Sequence, residues 1–174
     1  IGEIRDEETA DIAVKLSLTG HLVFSTVHAN DAPGTLTRLL DIGIAPFLVG
    51  SCLNLVMAQR LVRKLCEKCK EQYNPTSDEL ALIGLTPKDV KNDLCKAKGC
   101  ADCRNTGYRG RTAIFEMIPM AKELRKLVFE NANEDEIRQA AIKNGMVTLR
   151  DAGNERVLDG TTSCLLYTSD AADD

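Results

Sequence analysis

Four cysteines fall into two pairs of identical spacing, Cys66-Glu-Lys-Cys69 and Cys100-Ala-Asp-Cys103. A Cys-x-x-Cys step folds into a tight knuckle that turns two thiolates towards one ion. Two such knuckles supply the four ligands of a closed tetrahedral zinc site. With four sulfur ligands no position is left for water or substrate, so the Zn²⁺ expected here is structural. Lys64, Lys68, Lys70, Lys98 and Arg104 flank the pairs and would partly offset the net negative charge of a zinc–tetrathiolate centre. Two other chemistries compete. A redox pair normally occurs once, at a helix start after a strand. A disulfide framework needs an oxidising compartment, to which nothing in the sequence points. Cys95 stands outside both pairs, and Cys52 lies in an apolar stretch, where a small core residue is expected.

Glu3 follows Gly2 in a short apolar segment, Ile1 to Ile4, read as the end of a buried strand. Strand C-termini are where α/β folds place reacting groups. An acid there orients or deprotonates an attacking water, or holds Mg²⁺ through water. A surface acid at a turn is an equal alternative. His28 closes a second apolar segment, His21 to Val27, where it can contact a γ-phosphate and report hydrolysis. His21 opens that segment behind Thr19-Gly20 and is read as structural, while Arg5 and Asp6 are assigned to a local ion pair or a helix cap.

The elements that must carry these residues alternate. After Asp6, Glu7 and Glu8, acids suited to a helix N-terminus, Thr9, Ala13 and Leu16 share a helical face that Gly20 ends. Asn30-Asp31-Ala32-Pro33 starts a helix through Leu36, Leu39 and Leu40. Pro46 to about Met57 is expected as another helix, and Gln59 to Leu65 as a short strand. This alternation predicts an α/β layer with a parallel sheet. From Cys66 to Arg111 the chain turns polar, Gly- and Cys-rich, with no core of its own expected. Thr112 to Ile118 returns as a strand. Helices follow through Leu124–Val128, Ile137–Ala141 (Asn133 and Glu136 as a capping box) and Thr148–Leu158. The predicted organisation is 1–65, 66–111, 112–163, and a closing stretch 164–174. That stretch resembles a translated sequencing adapter and is set aside as a non-native tail.

Composition narrows the function. The chain has 174 residues, 44% of them hydrophobic, which excludes a disordered chain. No apolar run approaches the roughly 20 residues that span a bilayer. The formal net charge is −4, and three of the acids (Asp170, Asp173, Asp174) lie in the set-aside tail, so the remainder is near neutral. Neither value suits a dedicated nucleic-acid binder, and at 4% aromatics there are few base-stacking platforms. No signal peptide is visible, and the opening at Ile1 within a strand leads us to expect more chain upstream.

Four segments in order resemble the secretion ATPases of type II secretion and type IV pilus assembly. Gly2-Glu-Ile-Arg-Asp6-Glu-Glu-Thr-Ala10 resembles the family's Walker B segment. Thr19-Gly-His-Leu-Val-Phe-Ser-Thr-Val-His28-Ala-Asn-Asp31 resembles its histidine box. Ala58-Gln-Arg-Leu-Val-Arg63 leads into the tetracysteine segment, and Gly99-Cys-Ala-Asp-Cys103 runs into Thr106-Gly-Tyr-Arg-Gly-Arg111. The resemblance covers Ile1 to about Ser163. It implies the C-terminal part of a RecA-like P-loop ATPase core, a tetracysteine zinc subdomain and a helical C-terminal cap. The motor it implies is a homo-hexamer, peripheral on the cytoplasmic face of the inner membrane. Such a motor drives pilin or pseudopilin assembly with an inner-membrane platform and cytoplasmic adaptor proteins, and takes no specific nucleic acid. On this resemblance Glu3 is the Walker B acid and His28 the histidine-box residue near the γ-phosphate. Arg5 and His21 are nucleotide-proximal, and Cys66, Cys69, Cys100 and Cys103 are zinc ligands. Retraction motors of the superfamily generally lack the tetracysteine insert, so the resemblance favours assembly or secretion.

The chain carries no GxxxxGK[ST] loop, the element that cradles phosphates. ATP and Mg²⁺ are therefore expected of a longer protein, of which this is an internal fragment that is inactive alone. The alternative is a stand-alone zinc-ribbon module binding nucleic acid or protein through Arg60, Arg63, Lys64, Lys68, Lys70, Arg104, Arg109 and Arg111.

Overall fold

The computed structural model describes residues 1–90 and 93–164. They fall into two compact units, one of residues 1–58 and 116–148, the other of 59–115 and the stretch from Leu149 on. These units interleave along the chain, unlike the consecutive segments drawn from sequence. No described helix is long and apolar enough to cross a membrane.

In the first unit Asp6 caps helix α1 (Glu7–Leu18), its Oδ1 accepting from Thr9 N at 2.8 Å. The helix buries Ala10, Ala13 and Val14. Leu16, expected on that face, is 38% exposed. Asp31 caps α2 (Ala32–Asp41), which has Pro33 in its first turn and buries Leu36 and Leu39. Helix α3 spans Pro46–Cys52 and stops short of the expected Met57. The physical reason is strand pairing: Met120 N donates to Asn54 O at 3.0 Å, and the chain enters strand β1 (Leu55–Leu65). Strand β4 (Tyr108–Pro119) pairs with β1. Cys66 N donates to Gly107 O at their other ends, so the pair is antiparallel. Helices α5 (Lys122–Phe129) and α6 (Glu134–Lys143) close the unit, the latter with the expected Asn133–Glu136 capping box. Leu36, Val49, Ile118, Leu124, Val128 and Ile137 form its core. Each such side chain contributes about 1.5–3 kcal/mol on leaving water.

The two segments expected as buried strands are extended but belong to no ladder. Ile1 N donates to Phe24 O at 3.0 Å and Ile4 N to Thr26 O at 2.8 Å, a parallel approach, since both sets of numbers rise together. Burial is one-sided: Val23 and Val27 pack on the core, whereas Leu22 and Phe24 are 74% and 77% exposed. Among the described residues nothing covers that second face.

The second unit has a core that the sequence reading did not anticipate. Strand β2 (Glu71–Tyr73) pairs antiparallel with β3 (Leu94–Lys96), Gln72 opposite Cys95. Helix α4 (Ser77–Leu82) begins at a capping box of Thr76 and Glu79. Leu80, Ile83 and Leu94 meet Val157 of helix α7 (Leu149–Leu158) and Cys164. The elements are too short to show a period, and α7 arrives from far along the chain. The helices after β4 are thus shared between the units instead of forming one cap. Cys164, first residue of the set-aside tail, is buried in this cluster; residues 165–174 lie outside the described residues.

Candidate functional site

The two knuckles bring the paired cysteines into one cluster. Cys66 Sγ lies 3.9 Å from Cys100 Sγ, Cys69 Sγ 3.8 Å from Cys103 Sγ, and Cys100 Sγ 3.7 Å from Cys103 Sγ. Four thiolates at about 2.3 Å from a tetrahedral zinc stand about 3.8 Å apart, whereas a disulfide needs about 2.05 Å. The donor set therefore fits a single tetrahedral metal ion. Cys69 N and Lys70 N both return to Cys66 O, closing the first knuckle. In the second, Ala101–Cys103 form a 3₁₀ turn, and Arg104 and Asn105 take left-handed conformations at φ 52° and 61°. Gly107, at φ 77°, closes it: a Cβ there would stand 2.4 Å from Ala97 Cβ.

Charge at the cluster is handled differently from expectation. Lys68 pairs with Asp102 at 2.8 Å, Lys70 with Glu67 at 2.9 Å and Lys98 with Glu71 at 2.5 Å, so these lysines face carboxylates as well as sulfurs. Backbone dipoles do part of the work: Cys100 N and Gly107 N each donate to Cys103 Sγ at 3.2 Å. Burial pushes the Cys69 thiol up. It is also the largest influence on Cys103, where these two N–H groups together with the Cys100 and Cys69 thiols outweigh it and bring the thiol down. Two of the lysine pairings, with Arg63 stacked over the Tyr108 ring at 5.1 Å, engage Lys68, Lys70 and Arg63 of the basic cluster considered for nucleic acid.

Glu3 and His28 also meet. His28 Nε2 stands 2.6 Å from Glu3 Oε1. That oxygen accepts no hydrogen bond, so the ring N–H is not aligned on it and the contact is one of charge and proximity. Arg5 Nε donates to Glu3 Oε2 at 2.6 Å. This bond above all holds the Glu3 carboxyl below its ordinary range; partial desolvation opposes it, and His28 adds the smallest pull downward. Arg5 thus pairs with Glu3 and not with Asp6, whose carboxylate is turned to Thr9. His21 is not brought to this group: its Nδ1 is 3.0 Å from Thr19 Oγ1, at the end of α1. The arrangement is a carboxylate bonded to Arg5 at one oxygen, its other oxygen buried without a hydrogen-bond donor beside an imidazole that is 85% exposed. It can orient a water or a hydrated cation.

A buried acid and an arginine that bind the start of α2 were not anticipated. Glu116 is 2% exposed, and its Oε1 accepts from Ala32 N at 2.8 Å. Arg138 Nη2 donates to Asp31 Oδ2 at 2.9 Å and to Glu134 at 2.5 Å. The available signal was Ile114-Phe-Glu116-Met-Ile118, in which period-two alternation places a carboxylate on the apolar face of a strand.

Comparison with known proteins gives a consistent result. The family described as "Type II/IV secretion system protein" matches residues 1–169. The chain is 51% identical over 166 residues to the type IV pilus assembly ATPase PilB of Myxococcus xanthus, covering 94% of this chain and 29% of that protein. It is 48% identical over 163 residues to the type II secretion system protein E of Pseudomonas aeruginosa, covering 94% of this chain and 32% of that protein. Among solved structures, the pilus retraction motor PilT with bound ADP superposes with a TM-score of 0.63 at 22% identity, over 99% of this chain and 38% of that one. The Legionella pneumophila ATPase DotB gives 0.62 at 19% identity, over 99% and 38%. The α/β fold is therefore shared with these ATPases. The chain spans about three-tenths of the length of the curated relatives it matches.

Proposed function

The chain belongs to the type II/IV secretion system protein family, and on that premise we propose that it is part of a hexameric ATPase powering type II secretion or type IV pilus assembly. One observation carries the reading. In a chain 51% identical to a pilus assembly ATPase, the two residues expected at the reaction centre, Glu3 and His28, converge to 2.6 Å.

In this proposal ATP and Mg²⁺ sit against the Glu3–His28 group, the phosphates being cradled by a GxxxxGK[ST] loop that this chain does not carry. Glu3, an ordinary carboxylic acid lowered further by the Arg5 hydrogen bond, is ionised at neutral pH. A carboxylate so held is a weak base, and its role is to orient water or a hydrated cation by charge. Phosphoryl transfer asks mainly for such positioning. His28 is exposed and close enough to meet a terminal phosphate. Arg5 is the positioning partner of Glu3, and His21 keeps a nucleotide-proximal assignment by family likeness alone. Cys66, Cys69, Cys100 and Cys103 hold a structural zinc, which supplies a cross-link and no reaction chemistry. The motor works on the cytoplasmic face of the inner membrane, with a membrane platform and adaptor proteins as partners.

The test places this chain in frame behind a phosphate-loop-bearing N-terminal half. The expected result is ATP hydrolysis that falls about a hundredfold or more in Glu3→Gln, the low end of what a preorganised electrostatic group contributes. Unchanged turnover in folded Glu3→Gln would remove Glu3 from the reaction centre. Micromolar ATP binding by this chain alone would overturn the assignment of the phosphate site to the missing loop.

A further inference from the structure

Glu116 is a buried carboxylate that the proposed chemistry leaves without a use. It sits on the inward face of β4 beside Ile118, in a core otherwise apolar. Burying a carboxylate is costly unless it is hydrogen-bonded, and an apolar side chain would fill the same place. What Glu116 does there is accept from Ala32 N, the first residue of α2. The same turn is held by Asp31, whose Oδ1 accepts from Gly34 N at 2.8 Å and whose Oδ2 accepts from Arg138.

His28 lies just upstream. Behind it the chain is tied to the Glu3 segment: Ile4 N donates to Thr26 O at 2.8 Å, and Thr26 Oγ1 donates to Gly2 O at 2.9 Å. Ahead of it the chain is tied to Glu116. The imidazole itself is 85% exposed and has no packing of its own to fix it. Its place beside Glu3 is supported at the two ends of a short run of backbone, Thr26 to Ala32. We propose that Glu116 is a positioning residue that holds the His28 loop, and with it the imidazole, against Glu3. The functional weight of this rests on the reading of Glu3 and His28 given above, but the contact itself does not.

The chain has only two histidines, so NMR of the full 174-residue chain resolves both rings and His21 serves as an internal reference. Glu3→Gln marks where the His28 ring signal falls when its partner charge is gone. Glu116→Ala is expected to move the His28 signal to that position, to leave His21 in place, and to speed exchange of the Ala32 amide about tenfold, the factor for one buried hydrogen bond. Glu116→Gln, whose amide oxygen can still accept from Ala32 N, is expected to keep the wild-type signal. Should Glu116→Ala fail to fold, Glu116→Asp keeps the charge, withdraws the carboxylate by one methylene, and carries the same expectation. A His28 signal unmoved in folded Glu116→Ala or Glu116→Asp overturns the proposal. No nucleotide is present in this measurement, so its failure leaves the ATPase reading standing, and loss of that reading leaves this result intact.

Discussion

Arg5 lowers the Glu3 carboxyl more than His28 does. The Arg5 hydrogen bond is the largest influence on the Glu3 carboxyl, and the His28 charge is the smallest. Arg5→Gln should therefore raise the Glu3 midpoint towards its ordinary 4.5, and His28→Ala should move it less. Carbon-13 titration of the carboxyl reads both, and a larger shift in His28→Ala would reverse this ranking. Asp6 offers a second titration. Backbone N–H donation from Thr9 holds it below its ordinary 3.8. A depressed carboxyl stabilises the fold above its unfolded value, and that contribution is lost as pH falls through the folded value. Thermal melts from pH 5 downward should thus lose stability below about pH 4, with a shallower loss in Asp6→Asn. Glu3 and His28 stood out in the sequence as polar residues bordering apolar segments, but their assignment to a reaction centre came from the family resemblance. The partner of Arg5 was not legible, because Asp6 is one residue away and Glu3 two, and only the cap geometry chooses between them. Glu116 was hidden for a different reason: its partner, Ala32 N, is a backbone group with no residue type to recognise.

At the scale of elements, caps carry most of the local specification. The Asn133–Glu136 box closes two backbone donors at the start of α6. Asn133→Ala should cost about 1 kcal/mol of stability, read from denaturant melts at constant m-value. Where caps and period agreed, helices α2, α6 and α7 were foreseen nearly to their ends. Strands fared worse, because a strand is defined by its partner. Leu53 and Leu55 continue the apolar pattern of α3 across Asn54, and the bond from Met120 N to Asn54 O marks the approach to β1. The face of segment 21–27 bearing Leu22 and Phe24 was expected to be buried from its apolar, β-branched composition, and composition does not say which neighbours are present to cover it. The second knuckle gives the sharpest element-scale prediction. At Gly107 any side chain meets both a left-handed φ and Ala97, so Gly107→Ala should weaken metal affinity in a competition titration with a chromophoric chelator. Gly110, left-handed but with open space where a Cβ would stand, is the control, and equal losses at both glycines would show that backbone strain alone is responsible.

For the whole molecule, the cysteine cluster and the apolar core of the first unit are separate sources of stability. Apparent binding energies of structural zinc are of order 10 kcal/mol or more, while the first unit rests on Leu36, Ile118 and Ile137. Cobalt substitution should give the absorption of four thiolates on one ion. Removing metal with a chelator, or Cys100→Ser, should expose residues 66–107 to protease and leave amide protection at Leu36 and Ile137 unchanged. Protease resistance that survives metal removal would mean the ion is not structural. The spacing of the cysteines made this cluster readable before any fold was known, since its geometry is set by ligand chemistry. The small core around Leu80 was not readable, because its parts are scattered from α4 to Cys164. The two knuckles have one more effect. By pinning residues 69 and 100 to a common point, they turn the chain between into a closed loop, and the entropy of closing a loop rises only slowly with its length, about 0.6 kcal/mol per doubling. The exposed turn Thr86–Asp89 lies within that loop. Extra residues spliced in there should lengthen the excursion without loosening its base, making this turn a natural place for lineages to diverge in length and for a peptide tag to be carried.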